Sequence, residues 1–143
     1  MRDASNEYSR VLLTGASGFL GAPCLELLIE RGHDVHAVSR GEHTPDDDGA
    51  HWHTADLLDA ADVSRLVSEV QPTHLLHLAW TSGRDGFRDG TSNYPWVGAT
   101  LELLRQFTEA GGRRVVAVGT GAEYDWSDGV CSERSTPLRP GST

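Results

Sequence analysis

Gly15, Gly18 and Gly21 lie in the run Thr14-Gly15-Ala16-Ser17-Gly18-Phe19-Leu20-Gly21, with apolar Val11, Leu12 and Leu13 before it and Leu25, Leu28 and Ile29 at helical spacing after it. A strand that enters a glycine-rich turn and leaves as a helix can cradle a phosphate. The first glycine permits the tight turn, the second lets an anion approach bare backbone, and the third lets helix and strand pack closely. The amides that open the helix then face the anion, and the helix dipole favours negative charge there. Glycine turns also join strands and helices that bind nothing. Here the flanks meet the requirement of the motif, with Tyr8 to Leu13 reading as a strand and Cys24 to Glu30 as a helix.

A second chemical signal stands at the end of the next apolar stretch, Asp34 to Val38, where Ser39-Arg40-Gly41 follows. In a dinucleotide site this position meets the adenosine ribose. An acidic residue would hold the two ribose hydroxyls of NAD and repel the extra phosphate of NADP. A hydroxyl and a guanidinium favour the 2′-phosphate, so NADP is expected over NAD; a solvated arginine at a strand end is the plain alternative. His51 and His53, two apart, share one face of a short strand as a metal pair would, but two ligands without a third assign no metal. Asp46, Asp47 and Asp48 lack the alternating spacing of a calcium loop and read as solvated. Cys24 and Cys131 form no CxxC pair and are expected to be reduced thiols.

The elements that must position these residues alternate strand and helix. Pro23 suits a first helical turn and Gly32 stops that helix. His51 to Thr54 is a third strand, and Asp59 can cap a helix with the stripe Val63, Leu66, Val67 and Val70, closed by Pro72. His74 to Ala79 is a fourth strand, followed by a long loop with Gly83, Gly86, Gly90 and Pro95. A helix from Trp96 to Ala110 carries Val97, Thr100, Leu101, Leu104 and Phe107 on one side and ends at Gly111-Gly112. Arg114 to Val118 is the fifth strand. The expectation is an α/β Rossmann-like, doubly wound parallel sheet of about five strands in the order 3-2-1-4-5, with the ligand at the switch point between strands 1 and 4. One domain spans 1–143, with its core at 8–118 and an irregular tail at 119–143.

Composition narrows the partners. A formal charge of −9 argues against nucleic acid, which selects a basic face. No run is apolar enough for a membrane span, and the first residues lack the apolar centre of a signal peptide, so a cytoplasmic protein is expected.

The glycine run, Asp56-Leu57, His77-Leu78-Ala79, the Thr120 to Tyr124 segment and Glu133-Arg134-Ser135-Thr136-Pro137-Leu138-Arg139-Pro140 occur in one order along the chain. Together they resemble the extended short-chain dehydrogenase/reductases, within them the NAD-dependent epimerase/dehydratase group that acts on nucleotide sugars. The resemblance implies that Gly15, Gly18 and Gly21 hold the pyrophosphate with Ser17, Phe19 and Leu20 lining the turn. It further implies that Asp56 and Leu57 meet the adenine and that Ala79 lies beside the nicotinamide ribose. Thr120 matches the catalytic Ser/Thr that hydrogen-bonds the substrate oxygen, and Tyr124 is a weaker catalytic candidate. Read without the resemblance, Asp56 is a helix-initiating carboxylate and Thr120 a hydroxyl that satisfies a loop amide.

Two departures matter. Trp96 stands where the family often has an asparagine, and the family's tyrosine and lysine, four residues apart, should follow Pro140-Gly141-Ser142, whereas the sequence runs to Thr143 and contains no lysine. The expectation is therefore an N-terminal part, truncated before the last strands and the substrate lobe and not catalytically complete alone. A nucleotide sugar would bind if another chain completed the site. Strand 5 is expected at a sheet edge, where an apolar strand invites a homo-oligomer or a protein partner. The alternatives are a non-catalytic accessory protein using that edge and a reductase with a non-standard acid.

Overall fold

The computed structural model describes residues 9–41, 49–81, 91 and 93–138. The expected strand start at Tyr8, the aspartates 46–48, the glycines at 83, 86 and 90, and the Arg139-Pro140-Gly141-Ser142 end of the last motif lie outside the described residues. Eight regular elements follow one another: β1 (Arg10–Thr14), α1 (Gly21–Glu30), β2 (Asp34–Ser39), β3 (His51–Thr54), α2 (Ala60–Val70), β4 (His74–His77), α3 (Asn93–Glu109) and β5 (Arg114–Ala117), with a short 3-10 turn at Gly121–Glu123. All neighbouring strands pair in parallel, in the expected order β3-β2-β1-β4-β5.

Alternation along the strands divides the sheet into two buried faces. Leu13, Val35 and Ala37 pack under Leu25 of α1. Leu12, Val38 and Leu75 point the other way, against Val63, Leu66, Val67 and Val70 of α2 and Leu103 and Phe107 of α3. The central strand β1 is buried from Val11 to Thr14, as a strand covered on both faces requires. Among the described residues no helix is long and apolar enough to cross a membrane.

Local chemistry sets the helix ends. The Asp59 carboxylate accepts from the Ala61 amide at 2.8 Å and starts α2, as its position suggests. The chain leaves α2 through Gln71 in the left-handed region (φ 47°), one residue before Pro72. Gly32 (φ +77°) and Gly111 (φ +87°) do the same after α1 and α3.

Two expectations about α3 are corrected. The helix starts at Asn93, not Trp96, so Pro95 lies in its first turn, where a missing donor has no intrahelical partner to lose. Its buried face runs through Trp96, Leu103 and Phe107 with Thr100 half-buried, whereas Val97 (48% exposed) and Leu101 (62%) face outward. Thr100, Leu104 and Phe107 of the expected face thus lie on the covered side together with Trp96 and Leu103, and α3 presents that stripe to the sheet. β4 also ends two residues earlier than expected. The Leu78 and Ala79 amides turn away from the strand to Thr14 of β1. β5 forms one edge of the sheet, with Val115 at 39% and Val116 at 51% exposure; Val118 just beyond it is 56% exposed.

Candidate functional site

The carboxyl ends of β1, β2 and β4 open onto a crevice of about 380 Å³, lined by the Gly15 to Gly21 turn (without Ala16), Val38 to Arg40, Ala55, Leu57, Leu78 to Thr81 and Trp96. Strand order reverses direction between β1 and β4, so helices leave the sheet on opposite faces there and the crevice forms between them. Glycine is required on two sides of the turn. Gly15 has φ +70°, and a Cβ there would stand 2.8 Å from the Ala79 amide nitrogen. A Cβ on Gly21 would stand 2.0 Å from the Gly15 carbonyl oxygen, so α1 could not pack so close to the turn. Gly18 differs: a Cβ there would meet only the Gly15 oxygen, at 3.1 Å, and otherwise occupy crevice space.

The charge at this turn follows from what α1 lacks. Its N-cap residue, Leu20, makes no side-chain capping bond, and its first turn holds no acidic residue. By contrast α2 has Asp59 as cap and Asp62 in its first turn. The amino end of α1 therefore presents its positive dipole end to the crevice with no carboxylate at its cap, in its first turn or among the described lining residues to answer it, which is the condition for binding an anion.

A buried polar chain holds the turn in place. The Thr14 hydroxyl accepts from the Leu78 amide at 3.2 Å and the Ala79 amide at 3.3 Å. With both lone pairs used, its single proton goes to His77 Nδ1, 2.7 Å away. His77 must then carry its own proton on Nε2, which it donates to the Thr100 hydroxyl at 3.0 Å. Thr14 is fully buried and His77 is 7% exposed, and burial pushes the imidazole pKa below its ordinary value, so the ring is neutral. This chain links β1, β4 and α3 directly behind Gly15 and Ala79. Sequence reasoning had Thr14 and His77 only as letters of motifs, because a contact between residues 63 apart leaves no local signal.

The structure places Gly15, Ser17, Gly18, Phe19, Leu20, Gly21, Ser39, Arg40, Leu57 and Ala79 around this one crevice. Arg40 is exposed at its rim, and Ser39 Oγ donates to the Gly41 carbonyl at 2.6 Å. Asp56 does not line the crevice. Its Oδ1 accepts from the Leu58 amide at 3.0 Å while its own amide bonds to Asp62 Oδ2 at 2.9 Å, so it shapes the turn into α2. Thr120 and Tyr124 stand outside the lining as well. The Thr120 carbonyl accepts from the Glu123 amide at 3.3 Å, and Tyr124 forms an antiparallel bridge with Leu138. The sequence reading did not single out Trp80 as a crevice residue, and had Trp96 only as a helix start and a departure from the family pattern. Their rings lie 6.1 Å apart, and the Trp80 indole donates to Asn93 Oδ1 at 3.1 Å. An aromatic directly after an apolar strand end was the signal that was available.

The family model described as NAD dependent epimerase/dehydratase matches residues 11–143. The chain is 30% identical over 147 residues to the UDP-glucose 4-epimerase of Mycolicibacterium smegmatis, which covers 93% of this chain and 46% of that protein. It is 32% identical over 116 residues to an uncharacterized protein of Mycobacterium tuberculosis, covering 78% of this chain and 12% of that one. The crystal structure of Thermus thermophilus UDP-glucose 4-epimerase in complex with NAD superposes with a TM-score of 0.78 at 28% identity, covering 92% of this chain and 44% of that chain. The chain thus spans less than half the length of each of these proteins.

Proposed function

The chain belongs to the NAD dependent epimerase/dehydratase family, and we propose that it is the dinucleotide-binding part of an enzyme that converts nucleotide sugars. The observation that carries this reading is the uncapped amino end of α1 facing an open, glycine-walled crevice at the switch point of the sheet. The residues fit the cofactor: the space a Cβ of Gly18 would take is left for a pyrophosphate, and the turn amides and helix dipole supply its counter-charge.

In this reading Ser39 and Arg40 meet the adenosine ribose, Leu57 and the neighbouring Asp56 segment flank the adenine, and Ala79 lies beside the nicotinamide ribose. Trp80 and Trp96 close that end of the crevice against water. The bound nicotinamide supplies hydride exchange with a carbon of the sugar. The chain's own residues bind and orient. Thr120 takes the role of hydrogen-bonding the sugar oxygen, with Tyr124 secondary to it. None of these residues is a lysine-assisted phenol, since the sequence has no lysine. Proton transfer at the sugar oxygen, and with it the grip on the nucleotide sugar, is assigned to residues outside these 143. The protein works in the cytoplasm.

NADP is the preferred cofactor, on the strength of the Arg40 guanidinium at the rim and the absence of a carboxylate at position 39. The test is a titration with NADPH and NADH, read by energy transfer from Trp80 and Trp96. Arg40→Ala should weaken NADPH binding by about 10- to 100-fold, the worth of a charge-assisted hydrogen bond, and leave NADH binding unchanged. Equal losses for both, or tighter NADH binding by the unaltered chain, would contradict the NADP assignment.

The exposed valines of β5 favour a second reading, an accessory module that pairs through this edge with a second copy of itself. Light scattering would then show a dimer that Val116→Lys dissociates; a monomer at all concentrations contradicts it.

A further inference from the structure

Along β2 and β3 four side chains converge for reasons of register. Asp34 opens β2 and His36 follows two residues later on the same face. His51 of β3 is the direct partner of His36, and His53 lies two residues on. Asp34 Oδ2 is taken by the Arg10 guanidinium at 3.0 Å, and Arg10 is itself fastened to the Val70 carbonyl at the end of α2. The other carboxylate oxygen, Oδ1, is 3.4 Å from His36 Nε2 and 3.5 Å from His51 Nε2. All three atoms lie within 4.8 Å of one another.

Those separations are long for N–H···O hydrogen bonds. They match the edge of a tetrahedron: two ligands each about 2.05 Å from a zinc ion stand about 3.3 Å apart. The outer contact of His36 points the same way. Its Nδ1 lies 2.8 Å from His53 Nε2. With the proton on Nδ1 donated to His53, the Nε2 lone pair of His36 is left directed at the carboxylate oxygen, an arrangement that a cation between them would stabilise. A ligating histidine held through its other ring nitrogen is the usual support of a metal site.

We propose that Asp34, His36 and His51 bind a divalent transition-metal ion of the zinc class, with His53 orienting His36 and Arg10 orienting Asp34. The ligand set of two imidazoles and one carboxylate suits zinc, cobalt or nickel and leaves a position open to water, since His51 is largely exposed. The ion joins β2 to the short edge strand β3. None of the three ligands lines the dinucleotide crevice, and Asp34 stands about 16 Å from Ser39 along β2; His53, opposite the crevice residue Val38, is the member of the cluster nearest to it.

The test uses the untagged full chain, stripped with chelator and titrated with Zn²⁺ alone by calorimetry, and with Co²⁺ alone by visible absorption. One equivalent should bind, Co²⁺ should give the intense d–d bands of a tetrahedral site, and thermal midpoint should rise with Zn²⁺. His53→Ala should weaken binding about 10- to 100-fold, the effect of losing an outer support, and His51→Ala by about 100-fold or more. Both variants should keep the circular dichroism of the parent, and NADP should leave the metal affinity unchanged. The proposal is overturned if the chain takes up no zinc at millimolar metal. It fails equally if His51→Ala binds as tightly as the parent, or if Cys24→Ser or NADP abolishes binding while His51→Ala does not.

Discussion

Replacing Thr14 with valine keeps the shape of a fully buried side chain and removes only its hydroxyl. Three hydrogen bonds go with it. The Leu78 amide retains the Thr14 carbonyl at 3.2 Å, so its loss is small. The Ala79 amide loses its side-chain acceptor in a half-buried residue of the crevice wall, and exchange of that bond for one to solvent limits the net cost to about 0.5–1.5 kcal/mol. His77 Nδ1 has no such recourse at 7% exposure, and an orphaned buried acceptor costs about 1–3 kcal/mol. Switching the tautomer only exchanges an orphaned acceptor for an orphaned donor. After a gain of about 0.8 kcal/mol from burying a methyl, the net destabilisation is about 1–3.5 kcal/mol, a large share of a total of about 5–15 kcal/mol. Thr14→Ser keeps the hydroxyl and loses a methyl, at about 1 kcal/mol. Urea unfolding followed by circular dichroism separates the two. With a slope of about 2 kcal/mol/M, the midpoint falls by about 0.5–1.8 M for valine and about 0.5 M for serine. If the valine variant is as stable as the parent, or more stable than the serine variant, the hydroxyl is not the centre of a buried network and the argument for what positions Gly15 and Ala79 fails.

Protonation of His77 tests the same network by another route. Burial lowers its folded-state pKa below the unfolded value of 6.5, so the unfolded chain binds the proton first. Its contribution is complete above pH 6.5 and is lost as pH falls below it towards the folded pKa, by up to about 1.4 kcal/mol per pH unit. The pH dependence of unfolding between pH 6.5 and 5.5 should be shallower in His77→Gln than in the parent, and identical slopes would contradict the assignment. Two glycine substitutions should have opposite outcomes in thermal melts. Gly21→Ala places a Cβ 2.0 Å from the Gly15 oxygen and should abolish the cooperative melt or lower it severely. Gly98→Ala, in α3 with open space around it, should stabilise by up to about 1 kcal/mol.

The sheet order and the glycine turn were legible because both rest on short-range patterns, apolar runs punctuated by Gly32, Pro72 and Gly111. The start of α3 was misplaced for the same reason. Pro95 reads as a loop signal until its place in a first turn is seen. The face of α3 was read in part: Thr100, Leu104 and Phe107 lie on the covered side, whereas Val97 and Leu101 share their helical spacing but face outward, and only the sheet beneath decides between them. The Thr14-His77-Thr100 chain and the Asp34-His36-His51 cluster were invisible in sequence. Each depends on which residues stand opposite one another in neighbouring strands or helices, as His36 does to His51. His51 and His53 alone offered two ligands; register brought the third.

The central claim, that the glycine turn and the carboxyl ends of β1, β2 and β4 form a dinucleotide site, is tested most directly by amide chemical-shift mapping of the ¹⁵N-labelled chain during titration with NADP. Saturable shifts concentrated at 15–21, 39–41, 55–57 and 78–81 are expected, with the Asp34 and His51 end of the sheet unmoved. Shifts confined to β5 and the residues after it, or none at saturating cofactor, would contradict it.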